Sequence, residues 1–470
     1  MARAALGGLV LAVLAHPTRA RAEPFAMLIL DGEVSNDWYG WSMAGLGDVD
    51  GDGYADFAVG AHRHAGPGGA ASGRVSVYSG RGARRLYALD GEGAGDFFGY
   101  AIERAPDADG DGREDLVVGA YQHTGPGGLQ AGRVYLYSGA NGSLLHVFDG
   151  EQPAAQLGRG VGGVPDVDGD GRGDVVAGAY NHEGSAGEGS GVTYVYSGAT
   201  GAVLHRIEGE AAGDNFGFSV AGVPDADGDG RGDFVTTALL HAGPGGPGSG
   251  RAYLYSGRTG ALLHHFDGEA QSDNLGRCVS NAGDVNGDQR GDYVVGADKS
   301  DGAGGFNSGR AYVISGASGA LLHRFDGEGI NDAFGDWVGG GGDFDGDGLD
   351  DLIVGAFLHD GAPGFDSGKV YIFSGATGAL MEAIDGQAIG DRFAYAAEFG
   401  DDVDADGHAD LLVGAYLADG SAGINSGRVY LYGFSPFTCG VIPFGRDGAG
   451  SWIFVLAAAG LIALIAVRRP

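Results

Sequence analysis

Asp48, Asp50, Asp52 and Asp56 place four carboxylates at positions 1, 3, 5 and 9 of one short stretch, DVDGDGYAD. Left unpaired, four converging carboxylates would repel one another. A hard dication resolves the conflict: Ca²⁺ takes six to eight oxygen ligands, from carboxylates and backbone carbonyls. The carbonyl of Tyr54, at position 7, is the expected backbone ligand. Gly51 and Gly53 allow the tight turn that such a loop needs.

The loop returns six times, always at an interval of 59 residues. The expected ligands are Asp107, Asp109, Asp111, Arg113 and Asp115, then Asp166, Asp168, Asp170, Arg172 and Asp174. The fourth loop offers Asp225, Asp227, Asp229, Arg231 and Asp233. The fifth offers Asp284, Asn286, Asp288, Arg290 and Asp292. The sixth and seventh offer Asp343, Asp345, Asp347, Leu349 and Asp351, and Asp402, Asp404, Asp406, His408 and Asp410. Position 7 contributes only its backbone carbonyl in every case. The expectation is up to seven Ca²⁺. The fifth site should be the weakest, because Asn286 removes a charge and Gln289 stands where a glycine turn is wanted.

A period of this length means a repeat architecture. Each unit reads as four short strands without helical periodicity. In the second unit these are a small-residue strand after Phe98-Gly99, the apolar run Asp115–Ala120, the aromatic and β-branched run 133–138, and Leu144–Phe148 after an Asn141-Gly142 turn. Residues 27–33 match the fourth strands of other units, whereas the last unit stops after its third strand, 428–432. The N-terminus therefore supplies the missing strand. This split closes a ring and would gain a solenoid nothing. The fold expected is all-β: a seven-bladed β-propeller of four-stranded antiparallel blades, over residues 23–434.

The net charge is −34, and seven Ca²⁺ would bring it to −20. Nucleic acid is an unsuitable partner for such a chain, since phosphate binding needs a basic face. The two cysteines do not suggest a disulfide framework; Cys278 occupies a position that is small in most units and reads as a packed apolar residue. Residues 1–22 read as a signal peptide ending in Ala20-Arg21-Ala22. Residues 435–451 read as a linker, 452–467 as an apolar transmembrane or sorting helix, and 468–470 as a basic tail. The protein is expected to be exported, at the cell surface or secreted. It would be membrane-anchored only if that helix is retained, and is expected to be a monomer.

Phe98-Gly99 and Gly119-Ala120-Tyr121 bracketing the acidic loop resemble the FG-GAP repeat of integrin α-subunit propellers, over about residues 25–434. Leu157 and Leu275 stand in for Phe, Ala394 for Gly, and Thr237-Ala238-Leu239 for the Gly-Ala pair. The resemblance implies that the Ca²⁺ loops share one face. The opposite face, built from the 2–3 and 4–1 loops, would meet an unknown protein or glycan ligand in adhesion or recognition. The alternative on the same scaffold is a secreted carbohydrate-active protein, a lectin or a polysaccharide lyase-like enzyme.

No nucleophile elbow, zinc signature or phosphate loop is present, so no catalytic residue is assigned. The only basic pair near the axis is Arg159 with Arg277, a thin basis for a lyase. Arg-Gly-Asp occurs at 172–174, 231–233 and 290–292, but each Asp is a ninth-position loop residue and the Arg is read as filler. His64, His123, His182, His241 and His359 recur in the 2–3 loop and are read as structural hydrogen-bonders. Glu33, Glu92, Glu151, Glu210, Glu269 and Glu328, with Asp37 and its repeats, are expected to clasp blades through Arg74 and its repeats. His146, His205, His264 and His323 are expected to be solvated.

Overall fold

The computed structural model describes residues 25–433 and, separately, three strands of the C-terminal tail. Seven four-stranded antiparallel sheets make up residues 25–433. The first is Ser42–Gly47, Asp56–Ala61, Arg74–Tyr78 and Arg85–Asp90. The seventh is Phe393–Phe399, Leu411–Ala415, Arg428–Gly433 and, as its outer strand, Phe25–Asp31. The chain's first strand thus pairs antiparallel with its last propeller strand, Ile29 opposite Tyr430, and the ring closes as the repeat phase predicts. A single 3₁₀ turn, Arg81–Ala83, is the one helical turn among the described residues.

Burial follows strand order. The second strands, such as Asp115–Ala120 and Asp174–Ala179, are buried throughout, which is why they read as continuous apolar runs. The outer strands, such as Leu144–Asp149, mix exposed and half-buried residues, with Phe148 the buried one in this strand. Between blades lie apolar clusters. One joins Val117, Val134 and Leu136 of the second blade to Leu157, Val175 and Tyr194 of the third.

The Phe-Gly and Gly-Ala pairs have a joint purpose. Phe98, Phe216, Phe334 and Phe393 are fully buried, and Leu157 and Leu275 fill the same slot without exposure. Each of these residues forms a parallel bridge to a glycine of the preceding blade: Gly73 to Phe98, Gly132 to Leu157 and Gly191 to Phe216. The glycine that follows presents its carbonyl to the Gly-Ala glycine of the blade before. A Cβ on Gly119 would stand 2.0 Å from the Gly158 oxygen, and one on Gly178 1.9 Å from that of Gly217. Thr237 breaks this pattern, and its hydroxyl donates to the Gly276 carbonyl at 2.9 Å.

The tail departs from expectation. Residues 452–467 form two strands, Trp452–Ala458 and Leu461–Val467, paired with each other and joined by Ile442–Arg446 in a three-stranded sheet. Ile and Val are frequent in both halves of the run and Gly460 divides it, a composition that suits strands as well as a helix. Among the described residues no helix is long and apolar enough to cross a membrane. The signal-peptide residues 1–22, the basic tail 468–470 and Cys439 lie outside the described residues, as does the linker apart from Ile442–Arg446.

Candidate functional site

Each acidic loop joins the inner strand of a blade to its second strand, and is shaped by its own carboxylates. Asp48 accepts the backbone N–H groups of Gly51 (2.6 Å), Asp52 (3.0 Å) and Gly53 (2.9 Å). Asp50 accepts that of Asp52, and Asp52 that of Tyr54. Asp56 is fully buried; one oxygen accepts Val49 and Asp50 N–H, the other Gly80 N–H. Asp115, Asp174, Asp233, Asp292 and Asp351 take the equivalent backbone donor from the 3–4 turn. The position-7 amides of Arg113, Arg172, Arg231, Arg290, Leu349 and His408 likewise donate to the position-5 aspartate.

These bonds leave the carboxylates converging. Oxygens of Asp48, Asp50 and Asp56 lie within 4.8 Å of one another, as do those of Asp107, Asp109 and Asp115, and of Asp166, Asp168 and Asp174. Asp225, Asp227 and Asp229, and Asp343, Asp345 and Asp347, do the same. Burial, with neighbouring carboxylates adding to it, pushes the ninth-position groups up: Asp56, Asp115, Asp174 and Asp233 to about 6, Asp292 and Asp351 to about 7, Asp410 to about 8. A dication is the group that relieves this crowding, and all-oxygen donors suit a hard ion. The residues therefore fit a divalent metal. In the fifth loop the Asn286 amide donates to Asp292 at 3.2 Å, placing a donor where the other loops have a third carboxylate for an ion.

The Arg-Gly-Asp arginines are more than filler. Arg231 donates to Asp166 of the preceding loop at 2.7 Å, and Arg290 to Asp225 at 3.1 Å. Arg172 lies 3.7 Å from Asp107, and Arg113 donates to the Val49 carbonyl. Each arginine lies across the fourth-position glycine of that loop, where a Cβ on Gly110, Gly169 or Gly228 would collide with it. Ala405 is tolerated at this position in the seventh loop, whose following loop carries Tyr54 instead of arginine. The three Asp carboxylates of these tripeptides are fully buried.

On the opposite face the repeated polar residues sort into two sets. Arg74, Arg133, Arg251, Arg310 and Lys369 do clasp blades, reaching Glu33, Glu92, Glu210, Glu269 and Glu328 at 2.6 to 3.4 Å. Asp37 and its repeats do not join that clasp. Four of them bind the 2–3 loop histidines instead, His64 to Asp37 (3.0 Å), His123 to Asp96 (2.7 Å), His241 to Asp214 (2.7 Å) and His359 to Asp332 (2.8 Å), and Asp273 accepts the Ser300 hydroxyl. Ala155 removes that partner from His182, which turns to Glu151 at 3.4 Å. The outer-strand histidines are not simply solvated: His205 and His323 contact the Gly257 and Gly375 carbonyls of the next blade, and Tyr87 does the same to Gly139. A 3–4 turn carbonyl sits opposite this position in each neighbouring blade, so a ring nitrogen or hydroxyl finds a fixed acceptor.

The same face holds what sequence reading missed. One residue at or just before the start of each inner strand lines the axis, and the seven fall into five types: Trp41, Tyr100, Arg159, Phe218, Arg277, Asp336 and Tyr395. These seven, with neighbouring residues, line a cavity of about 100 Å³. Trp41 and Tyr395 have ring centroids 4.2 Å apart, and Trp41 and Tyr100 5.3 Å. Arg277 Nε donates to Asp336 at 2.6 Å. Arg159 lies 3.4 Å above the Phe218 ring centroid. A second tier follows the second strands, where His62, Tyr121 and Tyr416 pack on this ring. Near the rim, Phe306, Ile330, Phe365, Ile389 and Ile424 are 62–68% exposed, all in 2–3 and 4–1 loops. The column was legible by comparing residues 59 apart, since nearly every other inward position is small or repeated.

The FG-GAP repeat family matches residues 39–78, 98–137 and 393–432. The chain is 34% identical to Integrin alpha-PS2 of Drosophila melanogaster over 216 residues, which is 42% of this chain and 15% of that protein. It is 33% identical to Integrin alpha-V of Gallus gallus over 219 residues, 43% of this chain and 20% of that protein. It is 36% identical to Integrin alpha-10 of Homo sapiens over 169 residues, 33% of this chain and 14% of that protein. The aligned stretch thus spans a fifth or less of each of these relatives.

Proposed function

From the premise that this chain is an FG-GAP propeller similar to those of integrin α subunits, we propose that it is a Ca²⁺-stabilised recognition module acting outside the cell. The observation that carries the proposal is a division between faces. One face repeats the same convergent carboxylates, whereas the other varies at the axis and exposes apolar side chains at its rim. The metal would be structural. Asp48, Asp50, Asp52 and Asp56 and their repeats would hold it, with the carbonyl of Tyr54 or its equivalent completing the set, in up to seven loops and most weakly in the fifth. The ion supplies charge neutralisation and cross-links the turn. The protein's own residues do the rest: backbone amides orient the carboxylates, and the arginine of the next loop ties neighbouring turns together. Ligand, protein or glycan, would meet the 2–3 and 4–1 face in adhesion or capture. Anchorage through residues 452–467 is not part of this proposal, because the structure forms strands there.

Calcium titration of chelator-stripped protein by calorimetry tests the metal reading. Five or more sites per chain, with one distinctly weaker and a melting temperature that rises with occupancy, is the expected result. Fewer than one site per chain overturns it.

A further inference from the structure

We propose that the axial pocket opposite the acidic loops binds a uronate, the carboxylate-bearing sugar unit of an acidic glycan. This deepens the recognition reading above and rests on it for the choice of face. Arg159 carries the argument. Its Nη1 donates to the Phe218 carbonyl at 2.8 Å and its guanidinium stacks on the Phe218 ring, yet it forms no ion pair with a carboxylate among the described residues. In a chain of net charge −34, most arginines of the blades are claimed by carboxylates: Arg74, Arg133, Arg251, Arg310 and Arg428 each bind one in their own sheet. A guanidinium held flat against an aromatic face with donors to spare is arranged to receive a planar anion.

The rest of the pocket suits a sugar ring around that carboxylate. Trp41, Tyr100 and Tyr395 form an aromatic wall against which the C–H face of a pyranose packs. The Arg277–Asp336 pair offers both donors and an acceptor to ring hydroxyls, and the Asp336 charge is compensated within the pair. Arg277 is paired with Asp336, and Glu103 and Glu398 also line the cavity, so Arg159 is the guanidinium left to meet an anion. At about 100 Å³ the cavity takes the carboxylate end of one ring, leaving the remainder of the glycan across the mouth.

The test compares an oligosaccharide ending in glucuronate with the same oligosaccharide ending in glucose, by calorimetry at saturating Ca²⁺. The glucuronate form should bind at least about tenfold tighter, the worth of a charge-assisted pair. Arg159→Gln should abolish that preference, and Arg159→Lys should keep part of it, with the melting temperature of each variant showing that the propeller is intact. Equal binding of the two sugars overturns the proposal, as does a preference that survives Arg159→Gln. Binding of an acidic peptide without binding of the sugar also overturns it. Calcium titration reads the broader proposal separately, so a pocket that fails in a calcium-loaded propeller leaves the metal reading standing.

Discussion

Gly178→Ala asks whether the Phe-Gly and Gly-Ala pairs hold neighbouring blades at backbone contact. The added Cβ would lie 1.9 Å from the Gly217 oxygen, 2.7 Å from its carbon and 3.0 Å from its Cα. All three are main-chain atoms, so no side chain can swing aside. Ordinary contact for a Cβ begins near 3.4 Å, so this second strand and the innermost strand of the next blade must separate by roughly 1.5 Å. Overpacking in a rigid interior typically costs about 1–3 kcal/mol, and a clash with backbone belongs at the top of that range, about 3 kcal/mol. Unfolding entropy near 2.1 cal/mol/K per residue, over a propeller of this size, spreads this cost into only about 3 °C of melting temperature. Urea denaturation is therefore the better assay, read as the shift in midpoint at constant slope. Two further variants sharpen the result. Gly178→Thr keeps the clash but brings the hydroxyl that Thr237 uses toward Gly276, and should cost less than alanine. Gly95→Ala meets nothing within 4 Å and is strained only by its φ of +80°, so it should cost about 1 kcal/mol. A Gly178→Ala protein within about 0.5 kcal/mol of the parent, or no worse than Gly95→Ala, would refute the contact as a stabilising constraint.

Chelator should lower the melting temperature by about 8 °C: a site with a dissociation constant near 10⁻⁴ M contributes about 1.4 kcal/mol at about 1 mM Ca²⁺, and five sites together about 7 kcal/mol. A scan unchanged by chelator contradicts this. Asn286→Asp should tighten the fifth loop for Ca²⁺ by about tenfold, and should destabilise the metal-free protein because a carboxylate then faces Asp292 where an amide donated; calorimetry and urea midpoints read the two effects. Burial holds Glu103 up to about 7 on the axis, against 4.5 for the free side chain. The folded chain keeps that proton while the unfolded chain releases it, so stability falls as pH rises from about 4.5 to 7 and then levels. Glu103→Gln should flatten that decline, by up to about 3 kcal/mol between pH 5 and 8, and an unchanged pH profile would count against it.

How much of this was legible beforehand follows from what each residue meets. The seven loops, the four strands per unit and the ring closure were all readable, because a 59-residue period with a fourth-strand sequence at the front permits little else. The replacements Leu157 and Leu275 were harmless, as expected of apolar residues in a slot defined by its neighbours. The partner of each 2–3 loop histidine was not readable. Asp37 and His64 lie 27 residues apart, and nothing local says that the aspartate prefers the imidazole to the arginine of the clasp. The arginines of the Arg-Gly-Asp tripeptides were misjudged for a related reason, since their targets lie one full repeat earlier. Residues 452–467 were misjudged because an apolar run of that length, rich in Ile and Val, satisfies a helix and a strand hairpin alike.

The axial ring has a different status. A position between blades meets the same neighbour seven times, so packing demands that it repeat, and the glycine contacts, clasps and histidine pairs do repeat. A residue at the mouth of the axis escapes that demand, because its neighbours across the opening are the same column of the other blades. Three residues further along the inner strands, small residues suffice at Ala44, Gly162, Ala221, Ser280 and Gly339, and only Glu103 and Glu398 break that column. The column at the mouth instead carries Trp41, Tyr100, Tyr395 and two arginines, residues that supply large faces and directed charge. Trp41, Tyr100 and Tyr395 pack on one another and on the second tier, whereas Arg159 balances no carboxylate of the scaffold and is the residue a bound anion would explain. Replacing Arg159 should accordingly cost binding far more than stability, whereas replacing Trp41 should cost both.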